Sequence, residues 1–128
     1  MSNQLMVGKR GLIMGLANDK SIAWGIAKAC GQAGAELAFA YQGEALKKRV
    51  IPLAAQVGSD LVQECDVADE ASIDRLFAEL ATHWDSLDFI VHAIGFSDKG
   101  ELRGRYVDTS RDNFRMTMDI SVYSFTAV

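Results

Sequence analysis

Proline occurs once in 128 residues and cysteine twice, and the 13 Lys and Arg are outnumbered by 17 Asp and Glu. Each shortage excludes something. Cys30 and Cys65 share no CxxC spacing, so neither a structural zinc site nor a disulfide scaffold is available, and reduced, buried thiols in a cytosolic protein are expected. A net charge of −4 argues against the basic face or stripe that a nucleic-acid partner requires. No apolar run approaches the ~20 residues of a membrane span. Residues 1–6 carry no basic region followed by an apolar core, so no signal peptide is expected. Linkers, internal repeats and low-complexity tracts are also missing, and the composition is neither disordered nor collagen-like. What remains is a soluble, cytoplasmic globular unit, 49% apolar, whose length suits one domain rather than two. Residues 121–128 nevertheless read as the middle of an element.

What is present is alternation. Short apolar runs at 10–14, 36–40, 60–65 and 87–92 predict strands, and segments of helical period lie at 21–32, 44–57 and 69–83. A fourth helix is expected from a Ser110 N-cap through Phe114 and Met118. Ile22, Ile26 and Ala29/Cys30 follow the helical spacing of the first helix, and Ile73, Leu76, Phe77 and Leu80 form the apolar stripe of the third. Pro52 falls inside the second helix and predicts a kink or break, because an interior proline costs ~3 kcal/mol. Strands this short and apolar on both sides belong to a parallel sheet covered by helices on both faces. Four β-α units with right-handed crossovers give a doubly wound α/β fold. Ligands of such folds bind outside the carboxyl ends of the strands, so the residues after each strand carry the functional information.

Gly15 ends the first strand, and residues 15–25 feed a helix N-terminus. Free amides and the helix dipole make that turn an anion site, suited to a pyrophosphate. Gly15 allows the sharp exit, Ser21 and Ile22 offer hydroxyl and amide donors, and Gly25 allows close approach to the sheet. The strict G-x-G-x-x-G fingerprint is absent, and so is the carboxylate expected about 20 residues later. A tight strand–helix turn that binds nothing is therefore the competing reading. After the second strand, an acidic residue would select a free adenosine 2′-hydroxyl and an arginine a 2′-phosphate. Gln42 is neither, and its amide can bond ribose hydroxyls or adenine. Lys47, Lys48 and Arg49 read as a solvated helix face. Asp66, after the third strand, can accept from an adenine amine with the Val67 N–H on a ring nitrogen, or simply cap the turn before the next helix. After the fourth strand, small residues through Gly95 let the backbone lie against a nicotinamide ribose, and Phe96 can wall a substrate pocket. His92 reads as a satisfied structural residue rather than a general base. His83 is too isolated for a metal pair, and no metal site is expected.

Together these segments resemble one family. The pattern G-x5-S-I-A-x-G at 15–25, Glu36-Leu37-Ala38-Phe39 with Tyr41-Gln42, Cys65-Asp66-Val67 and His92-Ala93-Ile94-Gly95-Phe96 recur there in this order. So does Asp119-Ile120-Ser121 followed by Tyr123-Ser124-Phe125. The family is the bacterial NADH-dependent enoyl-(acyl-carrier-protein) reductases, a divergent branch of the short-chain dehydrogenase/reductase superfamily, and the resemblance covers residues 8–128. It implies a Rossmann-like doubly wound parallel sheet, of which these four β-α units are the N-terminal half. It implies NADH contacts at Gly15, Ser21, Ile22, Gln42, Asp66, Val67, Ile94 and Gly95, with Phe96 and Ser97 on the substrate side. Ala93 replaces a common serine and Met14 a threonine, and neither change removes a phosphate or adenine contact. Gln42, where NADPH-using relatives tend to carry basic residues, favours NADH.

The chemistry implied is hydride transfer from NADH to the β-carbon of a trans-2-enoyl thioester in type II fatty acid biosynthesis. The family's tyrosine and lysine, spaced Tyr-x6-Lys, stabilise and protonate the resulting enolate. Tyr41 and Lys48 have that spacing but stand at the adenosine side, and Tyr106 and Tyr123 have no lysine seven residues on. The catalytic pair is expected beyond Val128, so no catalytic residue is assigned in this chain and the segment alone is expected to be inactive and poorly soluble. The resemblance also implies a homotetramer and a substrate linked to acyl carrier protein. Lys99, Arg103 and Arg105 either attract that acidic carrier or form a solvated loop. Two other readings stay open: a carbonyl reductase of the same superfamily, disfavoured by the long first loop, and a non-catalytic nucleotide-binding module.

Overall fold

The central apolar runs become strands because neither of their faces meets water. A computed structural model describes residues 3–128, and Met1 and Ser2, on which part of the N-terminal reading rests, lie outside the described residues. Strand β1 (Arg10–Met14) pairs in parallel with β2 (Glu36–Tyr41), and Leu12, Ile13 and Phe39 are fully buried between helical layers. β3 (Val62–Glu64) adds in parallel to the outer side of β2, and β4 (Phe89–His92) to the outer side of β1. The order β3-β2-β1-β4 is the layout of one half of a doubly wound sheet. β3 is shorter than the 60–65 expected. Its hydrogen bonding still reaches one residue further each way, with Phe39 N–H donating to Leu61 O at 2.8 Å and Cys65 N–H to Tyr41 O at 2.7 Å.

Helices α1 (Ile22–Gln32) and α2 (Glu44–Gln56) cover one face, where Trp24, Val50 and Leu53 pack on Ile13, Leu37 and Phe39. Helix α3 (Glu70–Ala81) covers the other, where Ile73, Leu76 and Leu80 pack on Leu12, Met14 and Ala38, with Phe77 partly buried beside them. The stripe expected for α3 is thus the buried one.

The stripe expected for α1 is not. Ile22 is 80% exposed and Ile26 37%, while Ala23, Trp24 and Ala27 turn inward. Two apolar sets share the helical period here, and the one holding Trp24 buries the larger area. Gly25 lies on the outer side too. A Cβ at that position would meet nothing within 4 Å, so it does not serve close approach to the sheet. Cys30 is only half-buried, leaving Cys65 as the buried thiol.

Helix α2 runs unbroken through Pro52. The missing N–H and the ring clash are offset because Val50, Leu53 and Ala54, on either side of it, are buried. Helix α4 (Arg111–Met118) starts where expected, with Ser110 Oγ accepting from Asn113 N–H at 3.1 Å. It continues through a π-helical segment (Asp119–Tyr123), which the sequence did not signal, into a last turn α5 (Ser124–Ala127). Among the described residues, no helix is long and apolar enough to cross a membrane.

Candidate functional site

At the carboxyl ends of the four strands lies a cleft of ≈ 320 Å³. It gathers Gly15 from the turn after β1, Gln42 after β2, Asp66 and Val67 after β3, and Ile94, Gly95 and Phe96 after β4. Residues from 15 to 96 converge because parallel strands all point their carboxyl ends at one rim.

Gly15 has φ +95°, and a Cβ there would stand 2.0 Å from the carbonyl oxygen of Ala93. Only glycine fits both the turn and this approach. Ala93 N–H donates to Met14 O at 3.1 Å, so the turns after β1 and β4 are bound together as one wall.

Ser21 also has a local partner that the sequence did not show. Its Oγ accepts from the amides of Ala17 and Asn18, both at 3.0 Å, which ties the loop to the helix start. Among the described residues, no side chain caps the first amides of α1, and these are the donors an anion would meet. Neither Ser21 nor Ile22 lines the cleft itself.

Asp66 both closes a turn and lines the cleft. One carboxylate oxygen accepts from Ala68 N–H at 2.9 Å, closing the turn, while the residue lines the cleft with acceptor capacity to spare. Its own N–H donates to Ser72 Oγ at 2.8 Å. Burial pushes the neighbouring Cys65 thiol above its ordinary value, opposed by a hydrogen bond with Ser72. Cys65 therefore stays a protonated wall residue and not a nucleophile.

The wall after β4 is held by the π-helical segment. Phe96 N–H donates to Ser121 Oγ at 3.0 Å, and Ile120 of the same segment lines the cleft. Ser124 Oγ donates its only proton to Ile120 O at 2.6 Å, so His92 Nε2, 2.7 Å from that oxygen, carries the hydrogen and donates. Phe125 meets the imidazole edge-on at 5.5 Å. His92 is thus a satisfied structural residue.

Ser97 is brought elsewhere. Its Oγ accepts from Asn113 Nδ2 at 3.1 Å and Thr117 Oγ1 at 3.0 Å. It lines a second cleft of ≈ 360 Å³ between the 97–109 loop and α4, beside Leu102, Tyr106, Phe114 and Met118. Arg105 is paired with Asp108 at 3.2 Å, and Lys99 and Arg103 are exposed. Tyr41 is buried at the end of β2 and Lys48 is exposed on α2. Sequence reasoning missed Met14, Leu16, Ala17, Leu46 and Cys65 as cleft residues. Most adjoin a residue that was identified, so proximity was their only signal.

A family model described as enoyl-(acyl carrier protein) reductase matches residues 15–128. The enoyl-(acyl-carrier-protein) reductase (NADH) 1 of Rhizobium meliloti strain 1021 is 65% identical over 124 residues, which is 97% of this chain and 46% of that protein. Among solved structures, FabI from Candidatus Liberibacter asiaticus has a TM-score of 0.95 at 59% identity, covering 99% of this chain and 49% of its own. The Anaplasma phagocytophilum enoyl-(acyl-carrier-protein) reductase, solved in complex with NAD, has a TM-score of 0.94 at 58% identity, covering 98% and 48%. The chain thus spans about half the length of the relatives it matches.

Proposed function

Because the chain belongs to the enoyl-(acyl carrier protein) reductase family, we propose that it forms the NAD-binding part of a longer, cytoplasmic enzyme. That enzyme reduces trans-2-enoyl thioesters on acyl carrier protein to saturated acyl thioesters. The supporting observation is the convergence of Gly15, Gln42, Asp66, Val67, Ile94 and Gly95 on one cleft.

The residues fit a dinucleotide. The uncapped start of α1 receives the pyrophosphate, with the Ile22 amide as a donor while its side chain stays outside. Ser21 acts through the loop that it ties down. Gln42 bonds the adenosine end without offering a cation to a 2′-phosphate, which favours NADH over NADPH. Asp66 accepts from the adenine amine, and the Val67 amide donates to the ring. Ile94 and Gly95 back the nicotinamide ribose, Phe96 keeps water from the reacting face, and Ser97 meets the substrate. When bound, NADH supplies the hydride. The phenol and ammonium groups that stabilise the enolate lie outside residues 1–128 in this reading. The exposed apolar residues Phe114, Met118, Val122 and Tyr123 on the α4 side supply the packing face of a homotetramer.

The test is NADH oxidation by the full-length protein. Turnover that depends on a trans-2-enoyl thioester is expected. Turnover with only a 3-oxoacyl thioester would make it a carbonyl reductase, and NADH binding without either reaction would make it a nucleotide-binding module.

A further inference from the structure

Helix α4 and its π-helical continuation run back along the chain that leaves β4. Ser124 bonds His92, Ser121 bonds Phe96 and Asn113 bonds Asp98, so later helix positions meet earlier positions of the 92–98 segment. The segment needs these clamps. Among the described residues, no main-chain group between the Ala93 N–H and the Asp98 carbonyl bonds to other main chain. The outer clamps fall on His92 and Asp98, neither of which lines the cofactor cleft. Ser121 grips the stretch between them, where Ala93, Ile94, Gly95 and Phe96 form the cleft wall.

Both contacts of Ser121 have a fixed direction. Its Oγ accepts from Phe96 N–H at 3.0 Å and donates to Phe96 O at 3.3 Å, because an amide can only donate and a carbonyl only accept. One hydroxyl thus serves both main-chain groups of a residue, as a neighbouring strand would. The same oxygen would lie 3.8 Å from a Cβ at Gly95, so it also backs the glycine. Ser121 belongs to the π-helical segment, where Ser124 N–H bonds Asp119 O five residues back. Such local widening of a helix is frequent at functional positions.

We propose that Ser121 is a positioning residue for the nicotinamide end of the cofactor. It fixes the Gly95–Phe96 peptide without lining the cleft itself. This deepens the functional reading above and rests on it for the identity of the cofactor, whereas the hydrogen bonds stand independently. In that reading the adenosine half is held elsewhere, by Gln42, Asp66 and the start of α1. Loosening this wall should therefore slow hydride transfer far more than it weakens binding.

The test compares Ser121→Ala with Ser121→Thr in the full-length enzyme. Ser121→Ala should slow single-turnover hydride transfer about tenfold, while the Kd of ADP-ribose, a probe of the adenosine half, changes by less than about twofold. Ser121→Thr keeps the hydroxyl and should restore most of the lost rate. In residue-resolved hydrogen exchange of the wild type, the Phe96 amide should exchange more slowly than those of Ile94, Gly95 and Ser97. That protection carries the test if Ser121→Ala does not fold. An unchanged rate in Ser121→Ala, or an equal loss of ADP-ribose affinity, overturns the assignment. So does a threonine variant no faster than the alanine one, or a Phe96 amide as labile as its neighbours. A wild-type enzyme without enoyl-dependent turnover overturns the functional reading instead, whereas any of those results in an active enzyme overturns only this assignment.

Discussion

Gly15 and Gly25 occupy the two ends of one motif and have opposite physical roles. Alanine at Gly15 places a methyl group 2.0 Å from Ala93 O at a φ of +95°. The Gly15→Ala variant should lose at least about 2 kcal/mol of stability and most of its NADH affinity, measured by denaturant unfolding and fluorescence titration. Alanine at Gly25 meets nothing. There the helix should gain about 0.5–1 kcal/mol, and a parallel loss of NADH affinity would reveal that the bare Cα makes room for the cofactor. Cys65 gives a pH prediction. Burial raises its thiol above the ordinary 9.0, so the folded state holds the proton more tightly than the unfolded chain. Its contribution is fully present below that ordinary value and is lost as pH rises through the raised one. Alkylation followed by mass spectrometry near neutral pH should label half-buried Cys30 well before Cys65. Gln42, Asp66 and Gly95 were legible because the end of an apolar run marks the rim of a parallel sheet, and they stand just past such ends. The task of Ser21 was not, since its hydroxyl serves amides three and four residues upstream and sequence cannot say whether a serine bonds forwards or backwards.

Among the elements, α1 marks the limit of periodicity. Ile22 and Ile26 obey the same helical spacing as Ala23 and Ala27. When both faces are apolar, the position of the sheet decides which one is buried, and that is tertiary information. In α3 the opposite face carries Asp74, Arg75 and Glu79, so the stripe was unambiguous. Pro52 does not break α2, because Val50, Leu53 and Ala54 on either side of it are buried. Its cost is still present. Pro52→Ala should stabilise the protein by about 1–2 kcal/mol, after allowing for the flexibility that proline removes from the unfolded chain, and calorimetry would register it. At the head of α4, Ser110 caps the helix and is bonded through Oγ and N–H to the carboxylate of Glu101. Ser110→Ala should cost about 1–2 kcal/mol. The π-helical segment had no sequence signal, because an extra residue in a turn changes which side chains align without changing composition.

For the whole molecule, the fold class follows from alternation and handedness, which is why it was legible, whereas the strand order β3-β2-β1-β4 does not, since more than one doubly wound order satisfies both rules. The outer side of β4 is a different matter. It is an edge strand with Ile90 37% exposed, beside a cleft lined by Leu87, Phe125 and Val128. An apolar open edge pairs with whatever strand it meets. The 128-residue chain expressed by itself should therefore self-associate, and Ile90→Lys should lower the light scattering at equal concentration. A monodisperse monomer of the unmodified chain would contradict this. The parallel sheet has a further consequence, in time. β1 finds β2 soon after synthesis, but its other edge waits for β4, and Arg10 meets Asp88 across 78 positions. At about 5–20 residues per second, the roughly 50 residues between β2 and β4 take about 3 to 10 s to emerge from a ribosome. Throughout that interval β1, one of the two inner strands of the finished sheet, has one row of amides and carbonyls unpaired. The nascent chain is thus most exposed to misassembly at the strand that later becomes its centre, and slowing elongation between Gln42 and Asp88 lengthens that exposure.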